Sequence, residues 1–311
     1  MTAIECAALL REWDHILLLT HLRPDGDTLG SAAALCSGLR RAGKDAWLFP
    51  NPEITERYAP FVAPYLGTAT AGACTVSVDV AGPELFPEEF RGSVDLAIDH
   101  HPGDHDFAPR TLLDSAKASC GEVVLDVLEA LNGGLTPEEA SLLYIALSTD
   151  CGCFVYGNTR ADTHRAAAHL IDCGADYHRL NKALFRSSGF ARLKLEGMIF
   201  SSLQCYHAGA VSVALVTLDM MARSGATEDD CNDLASLAGR VRGSRVSLTV
   251  RELSPGKSKA SLRTDGSVNA TEVCARFGGG GHKMASGCTA DLGPEELARQ
   301  MLAVIDAVWP E

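Results

Sequence analysis

The sequence predicts an α/β protein in which a parallel-sheet N-terminal domain is joined by a helical linker to a smaller α+β domain. Short apolar segments alternate with helical patterns in the first part of the chain, as in parallel α/β sheets. At 311 residues the chain is long enough for two domains, each with its own core. From Ala210 the pattern changes to strand-like segments, two of them around a Ser-Pro-Gly turn. The predicted domains are therefore 1–186 and 205–311, with a linker at 187–204.

Three strand-and-loop units begin the first domain. The apolar run from His15 to Thr20 precedes the loop His-Leu-Arg-Pro-Asp-Gly-Asp and a helix from about Thr28 to Arg41. The segments from Cys74 to Asp79 and from Val94 to Asp99 also read as strands, and each ends in a polar cluster. Ligands of parallel α/β sheets bind beyond the carboxyl ends of the strands. These loops are therefore predicted to form the site.

Helical patterns complete the first domain. Ser119 and Glu122 form a possible capping box for the first of them, and a proline lies at an early position of the second. The stretch 187–204 has no strand pattern and is interpreted as a connecting helix. The predicted helices cover residues 121–131, 137–147, 161–173 and 176–186.

The second domain is predicted from segments with strand or helix patterns. A run of four glycines at 278–281 could be a flexible linker, but it is flanked by a helical segment and by Lys283-Met-Ala-Ser-Gly. Its backbone N–H groups could instead form an anion-binding nest. The predicted strands are 211–218, 245–253 and 257–263, and the predicted helices are 228–240, 269–277 and 294–308.

Composition excludes several classes of protein. A formal net charge of −13 without a Lys/Arg cluster disfavours a grip on long nucleic acid. No apolar run approaches the roughly 20 residues of a membrane helix, and the N-terminus lacks the basic and apolar regions of a secretory signal. The 11 cysteines contain no CxxC pair, which fits buried thiols in a reducing compartment. We therefore predict a cytoplasmic protein without a membrane partner.

The first candidate metal ligands are His21, Asp25 and Asp27, which lie within seven residues after a strand. One histidine and two carboxylates can converge on a hard cation. A surface loop whose aspartates cap the next helix explains this segment equally well. Asp79 also ends a strand, where a lone aspartate is more often a turn or cap residue than a ligand.

Two later clusters favour a metal or phosphate site. Asp99, His100 and His101 follow an apolar strand, and adjacent histidines that face opposite ways rarely serve as core residues. Asp150 follows an apolar helical segment within Ser-Thr-Asp-Cys-Gly. A plain helix end is a poor explanation for it, because the C-terminus of a helix disfavours negative charge.

The motifs HLRPDGD, VDVAG, IDHH and STDCG, in this order and spacing, resemble the signature motifs of the DHH phosphoesterase superfamily. The segment SLRTDGSVNATEVCARFGGGGHKMASG is similar to the DHHA1 domain of the bacterial oligoribonuclease (nanoRNase) and 3′-phosphoadenosine 5′-phosphate phosphatase subfamily. Thr264 stands where a serine is common in this family, and Arg23 occupies a variable position of the first motif.

The resemblance implies two divalent cations. One would be held by His21, Asp25 and Asp79. The other would be held by Asp27, Asp79, His100 and Asp150, with Asp79 bridging. A mixed histidine and carboxylate set suits Mn²⁺ better than Mg²⁺, although Mg²⁺ stays possible. Such cations activate water and stabilise charge on a phosphoryl group.

Catalytic and substrate-binding roles also follow from the resemblance. Asp79 would take part in catalysis as the bridging ligand, His101 would face the scissile phosphate or the leaving oxygen, and Asp99 would orient a histidine. In the family, the DHHA1 positions hold the non-scissile end of the substrate and so limit its length. A surface ion pair is a competing role for Arg263. The matching positions here are Arg263, Gly279, Gly280, Gly281, His282 and Lys283.

The resemblance implies an enzyme that hydrolyses very short RNA to nucleoside monophosphates and dephosphorylates 3′-phosphoadenosine 5′-phosphate. Its partners would be short RNA or small phosphorylated nucleotides, and a homodimer is compatible with the family. A cyclic or linear di-AMP phosphodiesterase is an alternative that the motifs do not separate. A non-catalytic nucleotide sensor is an alternative of another class, although such a protein is expected to have lost a metal ligand.

Overall fold

The computed structural model describes residues 1–68, 72–103, 105–231 and 234–309. Contacts between residues divide the chain into two units, 1–187 and 188–311. Within the described residues, no helix has both the length and the apolar character needed to cross a membrane.

A five-stranded, fully parallel sheet forms the centre of the first unit, with the strand order β2-β1-β3-β4-β5. Residues of the central strands β1, β3 and β4 are mostly buried, as expected when helices or loops cover both faces of a parallel sheet. The carboxyl ends of these strands lie at one edge, where the predicted polar loops begin. The strands are β1 (His15–Leu19), β2 (Asp45–Leu48), β3 (Cys74–Val78), β4 (Leu96–Asp99) and β5 (Thr111–Leu113).

Seven α-helices belong to the described part of the first unit, and the predicted ones are confirmed within a few residues. Ser119 caps α4 by accepting a hydrogen bond from the N–H of Glu122. The predicted capping box is wrong, because the Glu122 carboxylate accepts from the N–H of Ala118 instead. The helices are α1 (Ala3–Glu12), α2 (Gly26–Arg41), α3 (Ala59–Val62), α4 (Cys120–Asn132), α5 (Pro137–Asp150), α6 (Ala161–Asp172) and α7 (Tyr177–Phe185).

Glycines allow α2, α4 and α5 to pack very closely. A Cβ atom added to Gly30 of α2 would lie 2.5 Å from the carbonyl oxygen of Leu142 in α5. A Cβ atom on Gly121 of α4 would lie 2.6 Å from the Cβ of Ala146. This close packing fixes the start of α2 and of α4 relative to α5.

The second unit contains a six-stranded mixed sheet with the order β10-β11-β9-β8-β7-β6. Helix α8, which lies in the segment predicted to connect the domains, buries Leu195 and Ile199 in one cluster with Ala214 and Val216 of β7. Its other elements are β6 (Gln204–Tyr206), β7 (Val211–Val216), β8 (Val246–Ser254), β9 (Lys257–Thr264), β10 (Gly280–His282), β11 (Ala285–Ala290), α8 (Phe190–Ser201), α9 (Leu218–Ser224), α10 (Ala270–Ala275) and α11 (Pro294–Ala307).

The predicted helix at 228–240 is wrong. The chain forms three short 3-10 turns there, Asp229–Cys231, Leu234–Ser236 and Ala238–Arg240, and residues 232 and 233 lie outside the described part. Hydroxyl groups of the adjacent strands explain the difference. Ser212 donates to the carbonyl of Ala238, and Thr249 donates to that of Ala235. These carbonyls bond to the sheet, so the segment lies against it as separate turns.

Candidate metal centre

The loop after β1 carries the first group of ligand-type side chains. Nδ1 of His21 donates to the Leu22 carbonyl at 2.7 Å, which leaves Nε2 as the acceptor nitrogen of the neutral ring. This Nε2 lies 3.7 Å from Oδ1 of Asp25. Oδ1 of Asp25 also accepts from the N–H groups of Asp27 and Thr28 and caps α2. Asp25 therefore has the helix-capping role that was the alternative to metal binding.

Asp27 is held rigidly although it is almost completely buried. Its Oδ2 accepts from the N–H of Cys120 at 2.7 Å, and its Oδ1 accepts from the N–H of Gly121 and the hydroxyl of Ser31, both at 3.0 Å. The two N–H groups belong to the first turn of α4, where the helix dipole favours an anion. Burial and nearby carboxylates, Asp79 foremost, nevertheless raise the pKa of Asp27 well above its usual value.

Asp79 follows β3 in a left-handed backbone conformation, with φ of +61°, that non-glycine residues adopt only rarely. It is buried, and burial raises its pKa. Its Oδ1 lies 3.5 Å from Nε2 of His100 and 3.4 Å from Nδ1 of His101. Nδ1 of His101 already donates to Asp99. Among the described residues, Oδ1 of Asp79 therefore has no hydrogen-bond partner.

Asp99 ends β4 and organises the histidines that follow it. Oδ1 accepts from the N–H groups of His100 and His101 at 2.6 and 3.0 Å and from Nδ1 of His101 at 2.9 Å. Oδ2 accepts from Nε2 of His105 at 2.8 Å. Burial opposes ionisation, but the bonds from His101 and His105 outweigh it and lower the pKa of Asp99 to about 2.

His100 tests whether the site fits a cation. Its Nδ1 lies 3.3 Å from the Lys117 carbonyl, which can only accept, so Nε2 of the neutral ring is an acceptor. Nε2 is buried without a hydrogen-bond partner in the described part of the chain. It faces Oδ2 of Asp27 at 3.6 Å and Oδ1 of Asp79 at 3.5 Å. Three acceptor atoms at these distances repel one another unless a cation lies between them, so the donor set fits a divalent metal.

Asp150 is the last residue of α5, where the helix dipole disfavours a negative charge. Burial, together with nearby carboxylates such as Asp79, raises the pKa of Asp150 to about 6, although His100 opposes the shift. Its Oδ2 accepts from Nδ2 of Asn158 at 3.0 Å. A cation at this position would offset both unfavourable effects.

All six predicted metal ligands lie in groups whose potential ligand atoms are within 4.8 Å of one another. His100 and Asp79 each belong to two groups, so neighbouring groups share a ligand. The predicted bridge would require Asp79 to belong also to the group that contains Asp27. Asp79 is not a member of that group. The groups are His21 with Asp25 and Asp79; Asp27 with His100 and Asp150; and Asp79 with Asp99, His100 and His101.

The predicted substrate residues of the second unit are only partly gathered. Arg263 of β9 and Gly280 of β10 line a surface depression of about 390 Å³, together with Lys259 and others. Gly279, Gly281, His282 and Lys283 are not among the residues that line it.

The glycine run pairs in a hairpin. Gly280 and Gly281 lie in β10, which pairs antiparallel with β11. The N–H groups of Gly278 and Gly279 donate to carbonyls of α10, so they are not free to form the expected anion nest. Gly281 is required for packing, because its φ is +139° and a Cβ would lie 2.6 Å from the carbonyl oxygen of Ala285.

Two residues of this centre were missed from the sequence. His105 supports Asp99, and its position four residues after His101 was a possible signal. Asn158 donates both to Asp150 and to the Ala118 carbonyl. Nothing in the local pattern indicates this role, because only the folded loop brings Asn158 back to Asp150.

Comparison with known proteins shows that each unit matches a known domain family. Residues 15–147 match the DHH family, N-terminal domain, and residues 210–309 match the DHHA1 domain. The chain is 33% identical over 301 residues to the bifunctional oligoribonuclease and PAP phosphatase NrnA of Thermus thermophilus, covering 95% of this chain and 90% of the relative. The NrnA protein of Bacillus subtilis, with the same description, is 27% identical, and the match covers 96% of each chain.

A solved structure shares the fold. The crystal structure of an exopolyphosphatase-related protein from Bacteroides fragilis superimposes with a TM-score of 0.82 at 21% identity. The match covers 98% of this chain and 96% of that one.

Proposed function

The chain belongs to the DHH family and contains a DHHA1 domain, and from this membership we propose that it hydrolyses short oligoribonucleotides to nucleoside monophosphates and dephosphorylates 3′-phosphoadenosine 5′-phosphate. The supporting observation is the cluster of ligand-type side chains at the carboxyl end of the parallel sheet, in which the buried Nε2 of His100 faces two carboxylates. The similarity to NrnA proteins over nearly the whole chain supports the substrate class.

The metal ligands in this proposal are the six residues predicted from the sequence. His21, Asp25 and Asp79 would hold one divalent cation, and Asp27, Asp79, His100 and Asp150 would hold a second. When bound, the cations supply Lewis-acid stabilisation of the phosphoryl oxygens and lower the pKa of water. We propose Mn²⁺, because two histidines among the ligands suit it better than Mg²⁺.

His101 is proposed to contact the scissile phosphate or the leaving oxygen. Its side chain is 44% exposed, so a substrate can reach it. The carboxylate of Asp79, 3.4 Å from Nδ1, and the hydrogen bond with Asp99 raise the pKa of His101 to about 11, which favours the protonated ring. Because Nδ1 donates to Asp99, Nε2–H is the donor left for a phosphate oxygen.

Residues of the second unit are proposed to bind the remainder of the substrate. Arg263 and Lys259 place two cationic side chains beside the surface depression. An arginine binds a phosphate through two parallel N–H groups. Gly279, Gly280, Gly281, His282 and Lys283 complete the proposed set.

Product analysis by chromatography tests the proposal. The purified protein is given a two- to five-nucleotide RNA, a long RNA, 3′-phosphoadenosine 5′-phosphate, cyclic di-AMP and pyrophosphate, each with Mn²⁺ or Mg²⁺. Asp79→Ala is the inactive control. Asp162→Ala is the matched control, because Asp162 is an exposed aspartate paired with Arg165.

Release of monophosphates mainly from the short RNA, lost in Asp79→Ala and retained in Asp162→Ala, would support the proposal. Dephosphorylation of the adenosine bisphosphate would support the second activity. Hydrolysis of cyclic di-AMP alone would identify the alternative phosphodiesterase. No hydrolysis of any compound would favour a nucleotide sensor.

A further inference from the structure

An exposed aromatic side chain lies on the loop that follows Asp150. Tyr156 is 59% exposed and its neighbour Val155 is 80% exposed. Neither residue belongs to the motifs that carry the proposed metal ligands. These two adjacent side chains expose much of their apolar surface, so they do not contribute to the core.

The position of the Tyr156 ring is set by Gly152. A Cβ atom on Gly152 would lie 2.5 Å from Cζ of Tyr156, so the ring rests directly on the glycine backbone. The N–H of Tyr156 also donates to the carbonyl of Cys151 at 3.1 Å. Gly152 is two residues from Asp150, and two Cα steps span at most about 7.6 Å. The ring is therefore held against the backbone two residues from Asp150, a proposed metal ligand.

The same loop is closed onto Asp150 at its other end. Nδ2 of Asn158 donates to Oδ2 of Asp150 at 3.0 Å and to the carbonyl of Ala118 at 3.1 Å. Tyr156 thus lies on a short loop that begins at Asp150 and returns to it.

The backbone of the loop is strained. Gly152, Cys153 and Phe154 have φ values of +55°, +54° and +67°, and the left-handed region is unfavourable for the two non-glycine residues. The conformation is retained by a hydrogen bond from the N–H of Cys153 to the Ser148 carbonyl at 2.7 Å. The Phe154 ring stacks on His164 at 4.9 Å. Such strain concentrates at functional sites, and here Val155 and Tyr156 follow it and are exposed.

We infer that Tyr156, with Val155 beside it, is the platform on which a nucleobase of the substrate stacks while the adjoining phosphate lies at the metal centre. The inference rests on the proposed function. Every base has a π face, so stacking on an aromatic ring binds a base without selecting its sequence. The contact would let the site accept different nucleotides and disfavour phosphate compounds that have no base.

Equilibrium binding measurements distinguish the contribution of the base to affinity from that of the phosphate. Isothermal titration calorimetry in the presence of Mn²⁺ compares AMP with ribose 5-phosphate, which is the same compound without adenine. Tyr156→Ala is expected to weaken AMP binding by about 10- to 100-fold, the usual range for loss of one stacking contact. Binding of ribose 5-phosphate is expected to stay unchanged. Tyr156→Phe keeps the ring and is expected to bind AMP like the natural protein.

Tyr177→Ala is the matched control, since Tyr177 is a 45% exposed tyrosine in the same unit and no proposed role falls on it. It is expected to leave both affinities unchanged. An equal loss for AMP and ribose 5-phosphate, or no loss for AMP, would overturn the inference. If AMP binding depends on Tyr156 but no short RNA or adenosine bisphosphate is hydrolysed, the platform stands and the proposed function fails.

Discussion

Nε2 of the buried His105 donates to Oδ2 of Asp99 at 2.8 Å. Oδ1 of the same carboxylate accepts from the ring of His101 at 2.9 Å. Asp99 is thus clamped between two histidines and has little freedom to turn. This clamp positions the backbone and the side chain of the residues that follow β4.

Replacing His105 should therefore weaken the whole segment. His105→Phe removes the donor to Asp99 and leaves a buried carboxylate oxygen unsatisfied, which costs about 1–3 kcal/mol. His105→Gln keeps an N–H donor and should cost less. Urea unfolding followed by circular dichroism measures both variants. A His105→Phe variant as stable as the natural protein would show that the bond contributes nothing to stability.

The low pKa of Asp99 predicts how the free energy of unfolding changes at acidic pH. The folded-state pKa is about 2, against an ordinary value of 3.8, so the folded state binds fewer protons between these values. The resulting stabilisation, about 2 kcal/mol, is complete above the ordinary pKa and is lost as the pH falls toward 2.

Urea unfolding of the natural protein and of Asp99→Asn at pH 3 to 7 tests this. The difference in free energy of unfolding should be constant from about pH 5 to 7 and should narrow by about 1 kcal/mol at pH 3. A difference that does not change with pH would contradict the prediction.

A divalent cation should stabilise the first unit through Asp79. A ligand that binds only the folded state at about 100 times its Kd adds about 2.7 kcal/mol, or roughly 5–10 °C in Tm for a unit of this size. Asp79→Asn should lose this shift with Mn²⁺. Without cation it should be at least as stable as the natural protein, because burial already disfavours the charged Asp79.

Differential scanning calorimetry with and without Mn²⁺ measures these effects. Asp162→Asn is the control and should keep the full cation-dependent shift. An undiminished shift in Asp79→Asn would remove Asp79 from the proposed ligand set.

Gly30→Ala should separate α2 from α5. The new Cβ would meet the Leu142 carbonyl oxygen at 2.5 Å and the backbone nitrogen of Ala146 at 2.9 Å, and neither backbone atom can turn away. We expect the free energy of unfolding to fall by about 1–3 kcal/mol and the activity to fall, because the two helices position Asp27 and Asp150.

Gly197→Ala in α8 is the control. No heavy atom lies within 4 Å of its added Cβ, so it should stabilise slightly. Equal effects in the two variants would contradict the packing argument.

Replacing Arg263 should weaken substrate binding and leave metal binding unchanged. Loss of a charged hydrogen-bond pair costs about 1.5–3 kcal/mol, so Arg263→Ala should raise KM for short RNA by about 10- to 100-fold. Arg263→Lys keeps the charge but loses the two-pronged contact, and it should recover only part of the loss. Steady-state kinetics measure the change, and the Mn²⁺-dependent Tm should not move. Arg299→Ala, an exposed arginine paired with Glu296, should leave KM unchanged.

Much of the site could be predicted from sequence because its ligands follow local elements. Asp79 and His100 come directly after strands of the sheet and His21 lies two residues after β1, and the parallel arrangement brings the strand ends to one edge. The predictions fail where distant contacts decide local structure. At 228–240 the hydroxyls of Ser212 and Thr249 bond to the segment's carbonyls, which no local pattern reveals.

The sequence alone determined the fold class, the order of most strands and helices, and the residue types that could hold a cation. These follow from hydrophobic periodicity and from the chemistry of single side chains. Only the tertiary structure decided which atoms face one another. The unpartnered Nε2 of His100, the support of Asp99 by His105 and the return of Asn158 to Asp150 depend on packing between segments distant in sequence or on loop closure. Close packing of the folded chain sets such distances to a fraction of an ångström, a precision that periodicity does not encode.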